Sequence, residues 1–202
     1  MKYFTPQSGF TLVETLVAIT ILLIVISGPL AISSSTAKSS SFSSEQVTAF
    51  FLAQEGLELA EKARDDLLLQ YPTRLTPWKD FTNTTNTGKY RFCFADTNVG
   101  RSGCDFTISS NAVGGLNLTT CTTNGTECLF YLAPTTASRA HYVHSASPSL
   151  SWILQPFTRV VTFELVNTDE LKVTSKVTWR TGALRQQQQV VVESRLFNTY
   201  GY

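Results

Sequence analysis

Four cysteines, two histidines and one carboxylate set in an apolar run are the residues whose types and spacing could do chemistry. Cys93, Cys104, Cys121 and Cys128 are separated by ten, sixteen and six residues, which fits no zinc pattern and contains no CxxC. An even cysteine count downstream of a membrane segment points to two disulfides made in an oxidising compartment. Three pairings are possible; the sequential one, Cys93 with Cys104 and Cys121 with Cys128, is favoured. His141 and His144 stand three apart on an extended segment, so they face opposite sides and read as surface residues rather than a metal pair. Asp65-Asp66 ends a helix and reads as solvated. Asn83, Asn117 and Asn124 open glycosylation-type triplets, which a stretch this rich in Thr and Asn produces by chance. There is no HExxH, GxSxG or phosphate-binding loop. The sequence therefore offers no catalytic residue, no metal site and no cofactor, and the chain reads as something other than an enzyme.

Glu14 is the carboxylate that needs a reason. It stands near the start of Ser8–Ser27, SGFTLVETLVAITILLIVIS, and no charged residue follows until Lys38. The uncharged stretch Thr15–Ala37 covers 23 residues. As a helix it is about 35 Å long, enough to cross a hydrocarbon core of about 30 Å. Local chemistry gives the acid one role: Thr11 and Glu14 are spaced as a capping box, and a negative charge in a first turn suits the helix dipole. The formal net charge of the whole chain is only +1, with no basic block, so no nucleic-acid footprint is visible.

The elements that position these residues follow from periodicity. Gly28-Pro29 is expected to kink the apolar helix. Ser33–Ser44 is either a weak helix or a flexible break, with Ser43 and Gln46 available as a capping box if the helix restarts. Residues 45–70 form an amphipathic helix, with Phe50, Ala53, Leu57, Ala60, Ala63 and Leu67 on one stripe and Pro72 and Pro77 bracketing its end. Beyond it lies a region rich in Thr, Asn, Ser and Gly, with short strand candidates at Tyr90–Ala95, Asp105–Ser109, Cys128–Ala133 and His141–His144. The strongest β pattern is Leu171–Trp179, where Leu171, Val173, Val177 and Trp179 share one face. Val160–Val166 precedes it across a turn at Asn167–Glu170, and Val190–Phe197 follows, giving an antiparallel meander. Trp78, Trp152 and Trp179 read as packing residues. The meander needs a cover, which the amphipathic helix can supply. The expected fold class is α+β: a long N-terminal helix, transmembrane in its first half, packed on a C-terminal antiparallel sheet with a cysteine-containing insertion. The boundaries are 1–9 leader, 10–37 apolar helix, 38–71 amphipathic helix, 72–156 loop-rich cysteine-containing region and 157–202 sheet.

The run Gly9-Phe10-Thr11-Leu12-Val13-Glu14, after a short leader containing Lys2 and before some twenty apolar residues, resembles the class III signal of type IV prepilins and type II secretion pseudopilins. The resemblance implies that a prepilin peptidase cuts between Gly9 and Phe10 and methylates the new amine of Phe10. It also implies that Glu14 pairs with the N-terminal amine of a neighbouring subunit during assembly. An ordinary secretory signal is cut after its apolar core; here the apolar helix would stay in the mature chain. The stretch Ala49–Ala60 and the ending Phe157–Phe197 look similar to minor pilins and pseudopilins, whereas Pro29 stands slightly earlier than the helix-loosening proline common in major pilins.

On this resemblance the chain is expected to be a minor type IV pilin. Its partners would be other pilin subunits, the prepilin peptidase, and a membrane assembly platform with its ATPase. It would cross the inner membrane once before assembly and then stand in a cell-surface pilus or a periplasmic pseudopilus. A type II secretion pseudopilin is an alternative sharing the same signal. A DNA-uptake pilin would be expected to show a basic patch. A third reading is a signal-anchored surface binding module, with Ser35–Ala37 as an ordinary processing site and Glu14 as a cap alone.

Overall fold

The computed structural model describes residues 9, 11–70, 77–96, 100–108, 115–122, 126–133, 141–144, 150–181 and 186–199. Two compact units meet between Ser44 and Glu45. The helix α1 (Leu12–Gln70) is unbroken through Gly28-Pro29 and through the serine-rich stretch. It therefore does not restart at Ser43, whose hydroxyl donates instead to the Ser39 carbonyl at 2.9 Å. Serines that bond back to the preceding turn leave the backbone ladder free to continue. Pro72 lies outside the described residues. Pro77 opens a short helix, α2 (Pro77–Phe81), at the position where a missing N–H is harmless.

From Glu45 onward α1 buries one stripe. Ala49, Leu52, Ala53, Leu57, Ala60, Ala63 and Leu67 are all buried, at the three- and four-residue steps of one helix face. Phe50 departs from the expected stripe. It is 44% exposed, because Ala49 occupies the inward position one residue earlier. Gly56 lies on the buried face. A methyl group there would stand 2.5 Å from the Ser175 hydroxyl and 3.0 Å from Arg159 Cδ, so only glycine allows this approach of helix to sheet.

The cover is a seven-stranded antiparallel sheet among the described residues. Its strands are β1 (Arg101–Ile108), β2 (Leu116–Thr122), β3 (Leu129–Ala133), β4 (His141–His144), β5 (Ile153–Asn167), β6 (Glu170–Thr181) and β7 (Gln186–Phe197). β5 is the hub. It pairs β6 from Thr158 to Asn167, β3 from Ile153 to Thr158, and β1 at Val161. β2 and β4 extend the sheet beyond β1 and β3. The expected meander β5–β6–β7 is present, with its turn held by Asn167 Oδ1, which accepts the Asp169 N–H at 2.9 Å. The chain is thus a long N-terminal helix packed, from Glu45 on, against a C-terminal antiparallel sheet.

Three strand expectations change. Tyr90–Ala95 is not a strand: Arg91–Cys93 form a 3₁₀ turn, with Cys93 N–H donating to the Tyr90 carbonyl at 2.9 Å. Tyr90 and Cys93 are both buried. A turn of three residues puts both on one side, whereas a strand would point them apart. Leu116–Thr122 is a strand although its Asn and Thr content reads as loop; pairing with β1 along its length forms it. β5 begins at Ile153 and contains Pro156. On β1, Gly103 adopts a φ of +140° beneath the Val161 carbonyl, where a Cβ would lie at 2.5 Å.

The core is aromatic. Phe81, Tyr90, Phe94, Phe106 and Phe163 form a chain of ring contacts with centroids 5.2–6.2 Å apart. The structure pairs Cys93 with Cys104 and Cys121 with Cys128. The first tie holds the 3₁₀ turn on β1, and the second joins β2 to the residue before β3. With loops of 11 and 7 residues, each contributes about 2–3 kcal/mol by chain entropy.

One ion pair lies inside this core. Arg159 is 1% exposed, and Asp105 is fully buried beside it. Arg159 Nε donates to Asp105 Oδ1 at 2.7 Å, Nη1 to the Leu52 carbonyl and Glu55 Oε2 at 2.8 Å each, and Nη2 to the Phe106 carbonyl at 2.8 Å. Its guanidinium also lies 5.0 Å from the centre of the Phe130 ring. Burial works against the charge, but Asp105 and Glu55 outweigh it and hold the guanidinium pKa above its ordinary value. Removing one partner of such a pair strands the other charge. Arg159→Leu should lower unfolding free energy by about 3–5 kcal/mol in denaturant melts, and Arg159→Leu with Asp105→Leu should recover part of that loss. A single variant within about 1 kcal/mol of the wild type would remove the pair from the stability argument.

Tyr90 gives a pH prediction. Burial first, and the charge of Asp66 second, push its phenol up to about 12 from an ordinary value of 10. The fold therefore favours the neutral phenol. That contribution is complete below pH 10 and is lost as pH rises through 12. Thermal melts from pH 9 to 12 should show a steeper alkaline loss of stability in the wild type than in Tyr90→Phe; parallel curves would count against the assignment.

Candidate processing and assembly segment

The segment that sequence singles out begins at Gly9, which is exposed, with open space around its Cα. Phe10 lies outside the described residues. Thr11 precedes the first turn of α1, and its Oγ1 accepts the Glu14 N–H at 3.3 Å. Its carbonyl accepts the Thr15 N–H at 3.2 Å. Thr11 is thus the N-cap, satisfying a donor that a helix start leaves without a partner. Glu14 sits in the first turn, exposed, where the dipole favours its charge.

Beyond Glu14 the helix surface is apolar. Leu16, Val17, Ile19, Ile21, Leu22, Leu23, Ile24, Val25, Ile26, Leu30 and Ile32 are all exposed large hydrophobics. Water does not tolerate so broad an apolar surface on a lone helix. The helix is long and apolar enough to cross a membrane. Its hydroxyl groups meet the same requirement: Thr15 donates to the Leu12 carbonyl at 2.9 Å, Thr20 to Val17 at 2.8 Å, Ser27 to Ile24 at 3.0 Å and Thr36 to Ile32 at 2.9 Å. These four hydroxyl hydrogens are satisfied within the helix, as an apolar solvent demands. Glu14 carries the one charge of this turn, and a carboxylate taken out of water is costly unless a cation meets it.

The other residues that sequence weighed lie elsewhere. The cysteines tie the sheet region, and His141 and His144 bound β4. No group of three or more His, Cys, Asp or Glu able to hold a metal occurs among the described residues. Arg159 is the buried charge that sequence reading passed over. Its signal was present: Phe157, Arg159, Val161 and Phe163 alternate inward along β5, so period two alone places the arginine in the core.

Comparison with known proteins bears on the N-terminal segment. A family model described as the prokaryotic N-terminal methylation motif matches residues 5–28. Neither the curated proteins nor the solved structures yield a match to the chain. The matched span runs from Thr5 through Gly9, Phe10, Thr11 and Glu14 to Gly28, which takes in the cap, the acid and the first part of the apolar helix. The chain therefore carries the prokaryotic N-terminal methylation motif, the class III signal of type IV pilins, over residues 5–28.

Proposed function

We propose that this type IV pilin-like precursor is a minor pilin, a structural subunit of an extracellular or periplasmic filament. The supporting observation is the union of the methylation motif with an apolar helix whose large side chains are exposed from Leu12 to Ile32, while the same helix packs on the sheet from Glu45. In this reading the prepilin sits once across the inner membrane. Prepilin peptidase cuts between Gly9 and Phe10 and methylates the Phe10 amine. The apolar helix then leaves the lipid for a bundle of like helices, drawn out by a membrane platform and its ATPase.

Glu14 gives the bundle its register. A carboxylate moved out of water is costly unless a cation meets it. The amine of Phe10 on a neighbouring subunit supplies that cation at one axial stagger and at no other. A role in a type II secretion pseudopilus uses the same signal and the same helix. A sparse pilus subunit is favoured here by the disulfide-tied sheet, which gives each subunit a large outward domain.

Filament fractions from cells carrying Glu14→Ala test the reading. Incorporation should fall at least about tenfold, while the protein in the inner membrane stays at wild-type level and is still cut. Glu14→Asp, which keeps the charge on a shorter arm, should be intermediate. Wild-type incorporation of Glu14→Ala would show that the acid serves only as a helix-start residue.

A further inference from the structure

Past Thr158 the sheet forks. β6 follows β5 only as far as the Thr158–Thr178 pair, then continues with β7 alone to Thr181–Gln186. β5 runs on with β3 instead, to the Leu132–Ile153 pair. Pro156 explains the division. In an antiparallel strand alternate residues turn their N–H groups to the same neighbour. Arg159 N–H donates to the Cys128 carbonyl on the β3 side, so the Thr158 nitrogen faces β6, and the register of β5 with β3 shifts just beyond, between Thr158 and Leu154. Continued pairing would set Pro156 against Arg180 and require a proline N–H that does not exist.

The strands separate there around a groove of about 670 Å³, within the roughly 300–1,000 Å³ usual for small-ligand sites. Leu129, Leu154 and Pro156 give it apolar surface, and Thr158, Thr178 and Gln187 give it hydroxyl and amide groups. Among the described residues no carboxylate lines it, and the charged residue is Arg180. Arg180 is exposed and has no ion-pair partner among the described residues. Next to the groove, Tyr131 is the register partner of Leu154, and its ring lies 6.4 Å from that of Trp152. Both rings are half-buried.

We propose that this fork binds a saccharide carrying a carboxylate, of the uronic acid class. Threonine hydroxyls and a glutamine amide both donate and accept, which suits neighbouring sugar hydroxyls. The apolar surface of Leu154 and Pro156 suits the C–H faces of a pyranose ring. The planar guanidinium of Arg180 suits a carboxylate in two-point contact. An added peptide strand is disfavoured, because Pro156 removes a donor from the edge it would need. A nucleic acid is disfavoured, because one cation among the described residues does not make a phosphate track. The proposal goes beyond the assembly role and does not depend on it.

Titration of the full chain in detergent micelles with trigalacturonate, followed by calorimetry, tests it. Trigalacturonate should bind, and the neutral galactose trimer should bind at least about tenfold more weakly. Arg180→Gln, an exposed change that leaves the core alone, should weaken trigalacturonate by a similar factor. Pro156→Val, which restores the ladder donor and lets β5 and β6 close, should abolish binding. No binding of trigalacturonate, equal binding of the neutral trimer, or unchanged affinity in Arg180→Gln would overturn the proposal. So would capture of an extended peptide in place of the sugar.

Discussion

A single buried guanidinium decides how the second half of α1 lies on the sheet. Arg159 reaches α1 through the Leu52 carbonyl and Glu55, and β1 through Asp105 and the Phe106 carbonyl. Phe130 of β3 covers its face. Apolar packing alone is tolerant of small slides between a helix and a sheet. A buried ion is not, because each donor must keep its acceptor or the desolvation cost returns in full. Gly56 stands beside this contact, where any side chain would meet Ser175 and Arg159. Charge and close approach thus hold the helix in this one position on the sheet.

The first half of α1 obeys the opposite rule. From Leu12 to Ile32 its large side chains have no protein cover, and its threonines and serines return their hydrogens to the helix backbone. That is the surface of a helix suited to lipid or to other helices like itself. The serine-rich stretch before Glu45 carries the helix from one regime to the other without a break, since serine is small and can bond to the preceding turn. Glu14 then stands out as the one charged side chain of the apolar half.

Much of this was legible in the sequence, for physical reasons that differ by region. The helix from 45 on announced itself by the spacing of Ala53, Leu57, Ala60, Ala63 and Leu67, and β6 by strict alternation from Leu171 to Trp179. Both patterns record one buried face. Glu14 was legible because a charge in an apolar run is costly wherever it lies. The region before β5 was harder. β2 is partly exposed on both faces, so no alternation marks it, and long-range pairing rather than composition makes it a strand. Tyr90 and Cys93 were read with a period of two where the chain uses three. Pro156 hid the first residues of β5, because a proline argues against a strand, and here it lies where pairing with β6 has ended and the register with β3 shifts. Phe10 lies outside the described residues, so its part rests on the motif.

The account stands or falls on where the mature chain begins. Intact mass and N-terminal sequencing of the protein purified from its own cells decide that directly. A chain starting at N-methylated Phe10, with the apolar helix retained, is the result predicted here. A chain starting at Met1, or one trimmed beyond Ala37, would contradict processing at Gly9. It would leave a membrane-anchored or secreted domain with no assembly role for Glu14.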